Sequence, residues 1–383
     1  MPHMQPLQKH TRTIETVHPL EQRFTRRRFL GCLVLGAITA GCASTPQTNR
    51  VSGPRATASN ASSPTPSFQR AALQPIRADT VQQVRSLATL DVGGQLALAV
   101  AWSPASNILA VGGTLDTVQL WDITTLKQKM VLQGHSDQVN RIHWSPDGRL
   151  LATASSDGTV RLWDGQHYTS GAVLQGSADN PALSISWSPD SKRLAVGYGE
   201  GSVEIWNVVT RKGQILLGPQ SANIRTKAVW GISWSPDDRW IISPQYDGVI
   251  HVWDAGSGKL VRTLPPDDLP NDVRWSHDGH TLASSSDKGT VQLWQPGTFK
   301  NTTTLADNGE NGWVYPLAWS PDNRLLVGGY ATGQVVIWDV NAKKALNAWT
   351  DHTRQVWDMA WSPDGRLIAS ASKDGTVRLW GSQ

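Results

Sequence analysis

Pairs of tryptophan residues separated by 19 positions occur seven times between residues 102 and 380. The first tryptophan of each pair begins Trp-Ser-Pro-Asp or a close variant, and successive first tryptophans are 41–47 residues apart. These pairs account for 14 of the 19 tryptophans in a chain with only 4 phenylalanines and 5 tyrosines. A unit of this length repeated at this period predicts an array of similar supersecondary units. The pairs are Trp102 and Trp121, Trp144 and Trp163, Trp187 and Trp206, Trp234 and Trp253, Trp275 and Trp294, Trp319 and Trp338, and Trp361 and Trp380.

Each repeat unit contains the signals of four short β-strands. In the second unit, an Asp157-Gly158 turn separates the apolar run 150–154 from the alternating segment 159–163. A Pro-Asp-Gly turn precedes the apolar run, and a further extended segment such as 129–132 leads into the next unit. Such turn residues and period-two alternation are typical of strands joined by tight turns. Seven units of four strands predict an all-β fold, a seven-bladed β-propeller with four-stranded blades, over residues 82–383.

Dipeptides at fixed places in the units are similar to those of a known family. Trp-Asp ends the third strand of four units, at residues 121–122, 163–164, 253–254 and 338–339, and Gly134-His135 opens the second unit. Residues 82–381 resemble the WD-repeat family in these features. The last unit ends at Trp380 without an outer strand of its own, and the resemblance implies that an N-terminal strand at 84–90 completes it. Closure of this kind would remove the open edges of the ring.

The resemblance also implies a hydrogen-bonded network within the blades. It joins a histidine, a strand serine, a turn aspartate and the second tryptophan of a unit. A buried imidazole needs partners for both of its nitrogens, so we interpret these Ser, His and Asp residues as scaffold and not as a hydrolase triad. The network is complete in the second and last units, as His135, Ser155, Asp157 and Trp163, and as His352, Ser372, Asp374 and Trp380.

The residues that precede each first tryptophan have an irregular apolar pattern. Position −2 is apolar in every unit, and position −5 is apolar in all units except the one with Pro270. This spacing breaks the period of two and predicts a β-bulge that turns the residue at −4 out of the core. In the WD-repeat family, positions −4 and −6 and the residue before the turn aspartate line the face that binds partners. The resulting candidate residues for partner binding are Trp230, Tyr246, Trp313, Tyr315, Gln355, Trp357, Lys373 and Asn140.

Aromatic residues at such positions are typical anchors of protein interfaces. The alternative interpretation is that these rings pack beneath long loops and belong to the core.

Residues 1–41 have the pattern of an export signal. The segment 25–30, Thr-Arg-Arg-Arg-Phe-Leu, is similar to the twin-arginine motif, and the apolar stretch that follows is shorter than the roughly 20 residues of a spanning helix. The segment 39–42, Thr-Ala-Gly-Cys, is similar to a bacterial lipobox. We therefore expect lipidation of Cys42, with a simply cleaved signal as the alternative. Residues 42–81, rich in Ser, Thr, Pro and Ala, are predicted to be a disordered tether.

The charge distribution argues against nucleic-acid binding. Residues 42–383 contain 29 basic and 29 acidic residues, so the net charge of +4 arises within residues 1–41. A nucleic-acid surface usually needs a concentrated basic excess. The sequence also contains no phosphate-binding loop, nucleophile elbow, zinc-protease motif or Cys/His cluster. We expect no cofactor, no metal and no enzymatic activity.

The sequence favours an exported, lipid-anchored and monomeric propeller that binds a protein or peptide partner at a bacterial cell membrane. Two alternatives stay open. The first is an enzyme or small-molecule binder with its site in the central channel, which a charged or metal-binding cluster at the channel mouth would favour. The second is a cytoplasmic scaffold, which requires that the N-terminal signal be spurious. An aromatic patch spread over several blades would favour partner binding.

Overall fold

The computed structural model describes residues 70–382 apart from 106, 177–179, 217–227, 246 and 307–311. Seven antiparallel sheets of four strands each confirm the all-β propeller with seven four-stranded blades. We call the four strands of each blade a, b, c and d, in the order in which they lie side by side in the sheet. Strand a of each blade contacts strand a of the next blade around the ring, and that of the first blade (Ala97–Trp102) contacts that of the last (Val356–Trp361). Strand a is therefore innermost and surrounds the central channel.

The strands are numbered in chain order and the blades from the N-terminus. Blade one consists of β2 (Ala97–Trp102), β3 (Ile108–Gly113), β4 (Thr117–Asp122) and β5 (Lys127–Gln133), and blade two of β6 (Val139–Trp144), β7 (Leu150–Ser155), β8 (Thr159–Asp164) and β9 (Ser170–Gln175). Blade three consists of β10 (Ala182–Trp187), β11 (Arg193–Tyr198), β12 (Val203–Asn207) and β13 (Lys212–Leu216), and blade four of β14 (Ser233–Trp234), β15 (Trp240–Gln245), β16 (Val249–Asp254) and β17 (Leu260–Leu264). Blade five consists of β18 (Pro270–Trp275), β19 (Leu282–Ser286), β20 (Val291–Gln295) and β21 (Lys300–Leu305), and blade six of β22 (Val314–Trp319), β23 (Leu325–Tyr330), β24 (Val335–Asp339) and β25 (Lys344–Trp349). Blade seven consists of β26 (Val356–Trp361), β27 (Ile368–Ser372), β28 (Thr376–Gly381) and, as its outer strand, β1 (Arg85–Asp91).

An N-terminal strand closes the ring, as predicted. Strand β1 runs antiparallel to β28, with Leu90 opposite Val377, and supplies the outer strand of the seventh blade. Packing begins before the predicted boundary at residue 82, because Leu73, Ile76 and Val81 are also buried. This segment contains two short 3-10 turns, Arg70–Ala72 and Val81–Gln83. Residues 70–81 thus belong to the folded unit and not to the tether, whereas the predicted signal (1–41), Cys42 and the rest of the tether (43–69) lie outside the described residues.

The Trp-Ser-Pro-Asp motif forms the turn between strands a and b. In the second blade, the Ser145 hydroxyl donates to Asp147 at 2.6 Å and accepts the backbone N–H of Leu150 at 2.9 Å. The same Ser–Asp contact recurs in blades three to seven. The tryptophan of the motif often joins neighbouring blades: Trp187 Nε1 donates to the carbonyl of His143 at 3.1 Å, and Trp102 Nε1 to the carbonyl of Ala360 at 3.1 Å. The repeated tetrapeptide therefore shapes each turn and ties the ring together.

The apolar core of the described residues is divided into seven clusters, one between each pair of neighbouring blades. We call the face at which strands a begin the upper face and the face at which they end the lower face. The six residues of a strand a span roughly 17–20 Å, so these two faces are well separated. No helix in the described part of the chain is long and apolar enough to cross a membrane.

Candidate functional site at the channel mouth

The predicted bulge near the start of strand a is confirmed in six blades. The register with strand b shifts between Val139 and Arg141 in the second blade and between Val356 and Asp358 in the seventh. Corresponding shifts occur in blades one, three, five and six. An extra residue at this point re-aims the neighbouring side chains. Because strand a surrounds the channel, these side chains lie at its upper mouth.

Three aromatic rings from different blades meet at this mouth, and we call them the aromatic cluster: Trp230, Tyr315 and Trp357. The ring centroids of Tyr315 and Trp357 are 4.8 Å apart, and the Trp230 ring lies 6.4 Å and 6.2 Å from them. These residues come from blades four, six and seven, so the cluster reaches across the channel. Their ring planes are inclined to one another at 45–72°, within the range of edge and tilted contacts that aromatic pairs favour.

The cluster is more deeply placed than the sequence analysis anticipated. Tyr315 and Trp357 are only 3% and 4% exposed, and Trp230 is half-buried. Tyr315 and Trp357 are therefore buried rings in the free protein, and their role in partner binding stays a prediction. The bulge turns them out of the core between blades and towards the channel, where rings from blades four, six and seven cover one another.

Arg141 lies beside the cluster and was missed by the sequence analysis. Its guanidinium carbon is 5.6 Å from the centroid of the Tyr315 ring, and its Nη1 donates to the carbonyl of Trp357 at 3.3 Å. The same nitrogen is 3.6 Å from the Asp358 carboxylate. Arg141 occupies position −3, next to the bulged residue, so the irregular apolar spacing was the available signal for it.

Two polar side chains at the mouth have donors without a partner among the described residues. These donors are Gln355 Nε2 and Trp357 Nε1, on side chains that are 7% and 4% exposed. Lys373 donates from Nζ to Gln355 Oε1 at 3.0 Å, and the same ammonium is 4.5 Å from the centroid of the Trp357 ring. The contact with Lys373 uses the oxygen of the Gln355 amide and leaves its nitrogen available. Buried donors without partners are uncommon in folded proteins and call for an explanation.

The histidine network has a hydroxyl at its centre. In the second blade, Trp163 Nε1 donates to Thr153 Oγ1 at 3.0 Å, and Thr153 Oγ1 is 2.8 Å from His135 Nε2. His135 Nδ1 is 2.8 Å from the Asp157 carboxylate, which only accepts, so Nδ1 carries a proton. The seventh blade repeats this chain with Trp380, Ser370, His352 and Asp374.

The structure thus assigns the hydroxyl of the network to Thr153 and Ser370, not to the expected Ser155 and Ser372. Ser155 Oγ instead accepts the N–H of Asp157 and donates to the carbonyl of Asp137, both at 3.1 Å. Ser372 plays the same part in the seventh blade. These serines shape the turn between strands b and c, in which Gly158 has a φ of 83° that favours glycine.

Comparison with family models decides the relationship. The model described as IFT122 first beta-propeller matches residues 80–316, more than half of the chain. The chain belongs to the WD40-repeat β-propeller family. The model for the WD domain, G-beta repeat, matches residues 343–381, and that for the anaphase-promoting complex subunit 4 WD40 domain matches residues 299–357. No curated protein matches the chain.

The channel of this WD40 propeller also contains buried charges below the aromatic cluster. The Asp272 and Asp358 carboxylates accept the backbone N–H of Leu317 and Val100, each at 3.1 Å, in the following blade. Burial raises the pKa of Asp358, although Arg141 opposes this effect. These carboxylates are engaged with the scaffold at the bulges. The described residues contain no group of three or more His, Cys, Asp or Glu side chains that could hold a metal.

The other candidate residues divide between the mouth and the scaffold. Asn140 is 7% exposed, and its amide donates to Ser156 Oγ at 3.0 Å and to the carbonyl of Ala182 at 2.9 Å. It therefore links blades two and three and does not join the aromatic cluster. Trp313 is half-buried just before strand a of the sixth blade, and Tyr246 lies outside the described residues.

Proposed function

We propose that the protein is an exported, lipid-anchored WD40 scaffold that binds a protein or peptide partner at the upper mouth of its channel. The observation that carries this proposal is the combination of the aromatic cluster with the unpartnered donors of Gln355 and Trp357. WD40 propellers are typical scaffolds for protein interaction, but a fold alone does not identify a site.

The mouth combines a buried floor with an accessible rim. Tyr315 and Trp357 form the floor, and the half-buried Trp230, Trp313 and Lys373 surround it. Binding hot spots are rich in Trp, Tyr and basic residues that lie at the centre of an interface and are shielded from water. A backbone carbonyl or a carboxylate of a partner would satisfy the donors on Gln355 and Trp357.

The path of the N-terminal segment supports a particular orientation at the membrane. Arg70 forms an ion pair with Asp364 at 3.0 Å and donates to Asn107 at 2.6 Å. Asp364 and Asn107 belong to a–b turns, which lie at the lower face. A tether that leads from a lipid on Cys42 to Arg70 would join the propeller at its lower face and leave the upper mouth accessible. Export rests on the twin-arginine and lipobox patterns, and the proposed location is the outer side of the bacterial cell membrane.

A matched pair of tryptophan substitutions tests the mouth. Trp357→Phe removes the unpartnered indole N–H and keeps an aromatic ring. Trp144→Phe removes another N–H that has no partner in the described residues, but at the lower end of strand a. Both variants should fold, because neither breaks a hydrogen bond of the free protein.

The binding measurement uses a partner first isolated by cross-linking in membranes. Loss of one buried hydrogen bond costs about 1–2 kcal/mol, so Trp357→Phe should weaken partner binding about tenfold, while Trp144→Phe should bind like the wild type. Equal affinities of the two variants would contradict a role for the mouth.

A further inference from the structure

A second candidate site lies at the outer edge of the propeller, between blades two and three. An open cleft of about 310 Å³ is lined by Gln175 and Gly176 at the end of β9, by Glu204 and Trp206 of β12, and by Gly213 and Ile215 of β13. It is far from the channel, because β9 and β13 are the outermost strands of their blades. The proposed function makes no use of this cleft.

Glu204 is an unusual group to find in such a place. Its side chain is 6% exposed, and its carboxylate accepts a hydrogen bond from the Tyr198 hydroxyl at 3.1 Å. Burial raises the pKa of Glu204, although hydrogen bonds from Tyr198 and Trp206 oppose this effect. None of the ion pairs between described residues includes Glu204. A carboxylate that is buried without a cation carries a substantial desolvation cost.

The equivalent position in the other blades shows what this place can hold. Glu204 lies two residues before the second tryptophan of its repeat, and the same position elsewhere is never acidic. The second blade has Arg161 at this position, and its guanidinium packs against Gly134. A Cβ atom at Gly134 would be only 3.0 Å from Arg161 Nη1. In the seventh blade, Arg378 is there, with Nη1 3.9 Å from the Asp351 carboxylate. The residues at this position are Gln119, Arg161, Glu204, His251, Gln292, Val336 and Arg378.

At this position, two residues before the second tryptophan, blades two and seven have an arginine, whereas blade three has the carboxylate of Glu204. The indole of Trp206 lines the same cleft, and 9% of this residue is exposed. Gly213 is opposite Trp206 in the sheet, and a Cβ at Gly213 would be 3.0 Å from the indole ring. A cation is attracted both by a carboxylate and by an aromatic ring. Ile215, 55% exposed, provides an apolar wall for the methylene stem of a long basic side chain.

We propose that this cleft binds a single arginine or lysine side chain of a protein partner. The cationic head contacts the Glu204 carboxylate and the Trp206 ring, and the stem lies along Ile215. This site takes a basic group, whereas the upper mouth presents donors to an acceptor. The two sites can therefore be tested separately.

The test is a titration of the protein with N-acetyl-arginine methylamide, followed through the indole N–H resonance of Trp206. The lysine analogue distinguishes an ammonium from a guanidinium, and N-acetyl-glutamine methylamide is the neutral control. Saturable shifts with either basic compound and none with the neutral one are expected. No saturable shift with either basic compound, or an equal shift with the glutamine compound, would overturn the proposal.

Two variants with the same change of charge separate the cleft from general electrostatics. Glu204→Gln should weaken binding at least tenfold, whereas Glu200→Gln, at an exposed residue of the same blade, should leave it unchanged. Glu204→Gln should fold, because Gln119 occupies the same position in the first blade and accepts the N–H of Trp121 at 3.1 Å. Unchanged binding in Glu204→Gln, or equal loss in both variants, would also overturn the proposal.

Discussion

Replacing Thr153 by valine tests the assignment of the network hydroxyl. Valine has nearly the shape of threonine but neither donates nor accepts a hydrogen bond. The substitution removes both the acceptor of Trp163 Nε1 and the hydrogen-bond partner of His135 Nε2. Thr153, His135 and Trp163 are 0%, 5% and 3% exposed, so water cannot easily replace the lost partner.

The size of the effect follows from the number of groups left without a partner. Each unsatisfied buried polar group costs about 1–3 kcal/mol. Two such groups predict that Thr153→Val lowers the free energy of unfolding by about 2–6 kcal/mol. Thr153→Ser keeps the hydroxyl and loses one methyl group, which costs about 1 kcal/mol.

Urea unfolding at neutral pH, followed by tryptophan fluorescence and circular dichroism, measures these differences. Ser155→Ala is the informative comparison, because the sequence analysis placed the network hydroxyl at Ser155. Its loss affects only turn contacts of the backbone, so it should cost less than Thr153→Val. A larger loss for Ser155→Ala, or a Thr153→Val protein as stable as the wild type, would refute the assignment.

Two further predictions concern closure and acid stability. Removal of residues 1–69 should leave the melting temperature nearly unchanged, whereas removal of residues 1–84 should lower it by many degrees. The longer deletion removes four buried apolar side chains, those of Leu73, Ile76, Val81 and Val84. Equal melting temperatures of the two truncated proteins would show that residues 70–84 do not stabilise the propeller. Burial of Asp157 and Asp374 opposes their ionisation, but hydrogen bonds from His135 and His352 outweigh it, so the pKa of each carboxyl lies well below its usual range. The stability that these carboxylates contribute is present above the unfolded pKa of about 3.9 and is lost as the pH falls towards their folded values. Between pH 6 and pH 3, a double variant with Asp157→Asn and Asp374→Asn should lose less free energy of unfolding in urea than the wild type loses. A loss equal to that of the wild type would contradict this explanation.

The repeat architecture could be predicted from sequence because its signals are local. The fixed interval between tryptophans, the turn residues and the apolar positions −2 and −5 indicate strand number, blade number and the bulge. The closing strand was also predictable, because the last repeat lacks its outer strand. These features depend on neighbours along the chain or on simple counting.

The burial of the aromatic cluster could not be predicted in the same way. Trp230, Tyr315 and Trp357 belong to different blades, and whether their rings meet depends on the width of the channel and on the direction in which each side chain points. Arg141 was missed for the same reason. Such contacts arise only when the ring closes.

The network hydroxyl, by contrast, had a sequence signal that was overlooked. A Ser or Thr lies ten residues before the second tryptophan in four repeats, and in each it accepts the indole N–H: Thr153, Ser243, Ser284 and Ser370. The packing of residues 70–81 was hidden by the Ser- and Pro-rich composition of the segment before them. Apolar residues spaced through that segment, Leu73, Ile76 and Val81, were the available indication.

Photo-crosslinking at the two faces of the propeller tests the central claim most directly. A benzoylphenylalanine in place of Arg354, which is exposed beside Gln355 at the upper mouth, is compared with one in place of Asp237, which is exposed in a lower-face turn. Neither residue belongs to the proposed binding site. The account predicts that the partner is cross-linked from position 354 and not from position 237, and that Trp357→Phe reduces the yield at 354. Cross-linking from position 237 alone would contradict it.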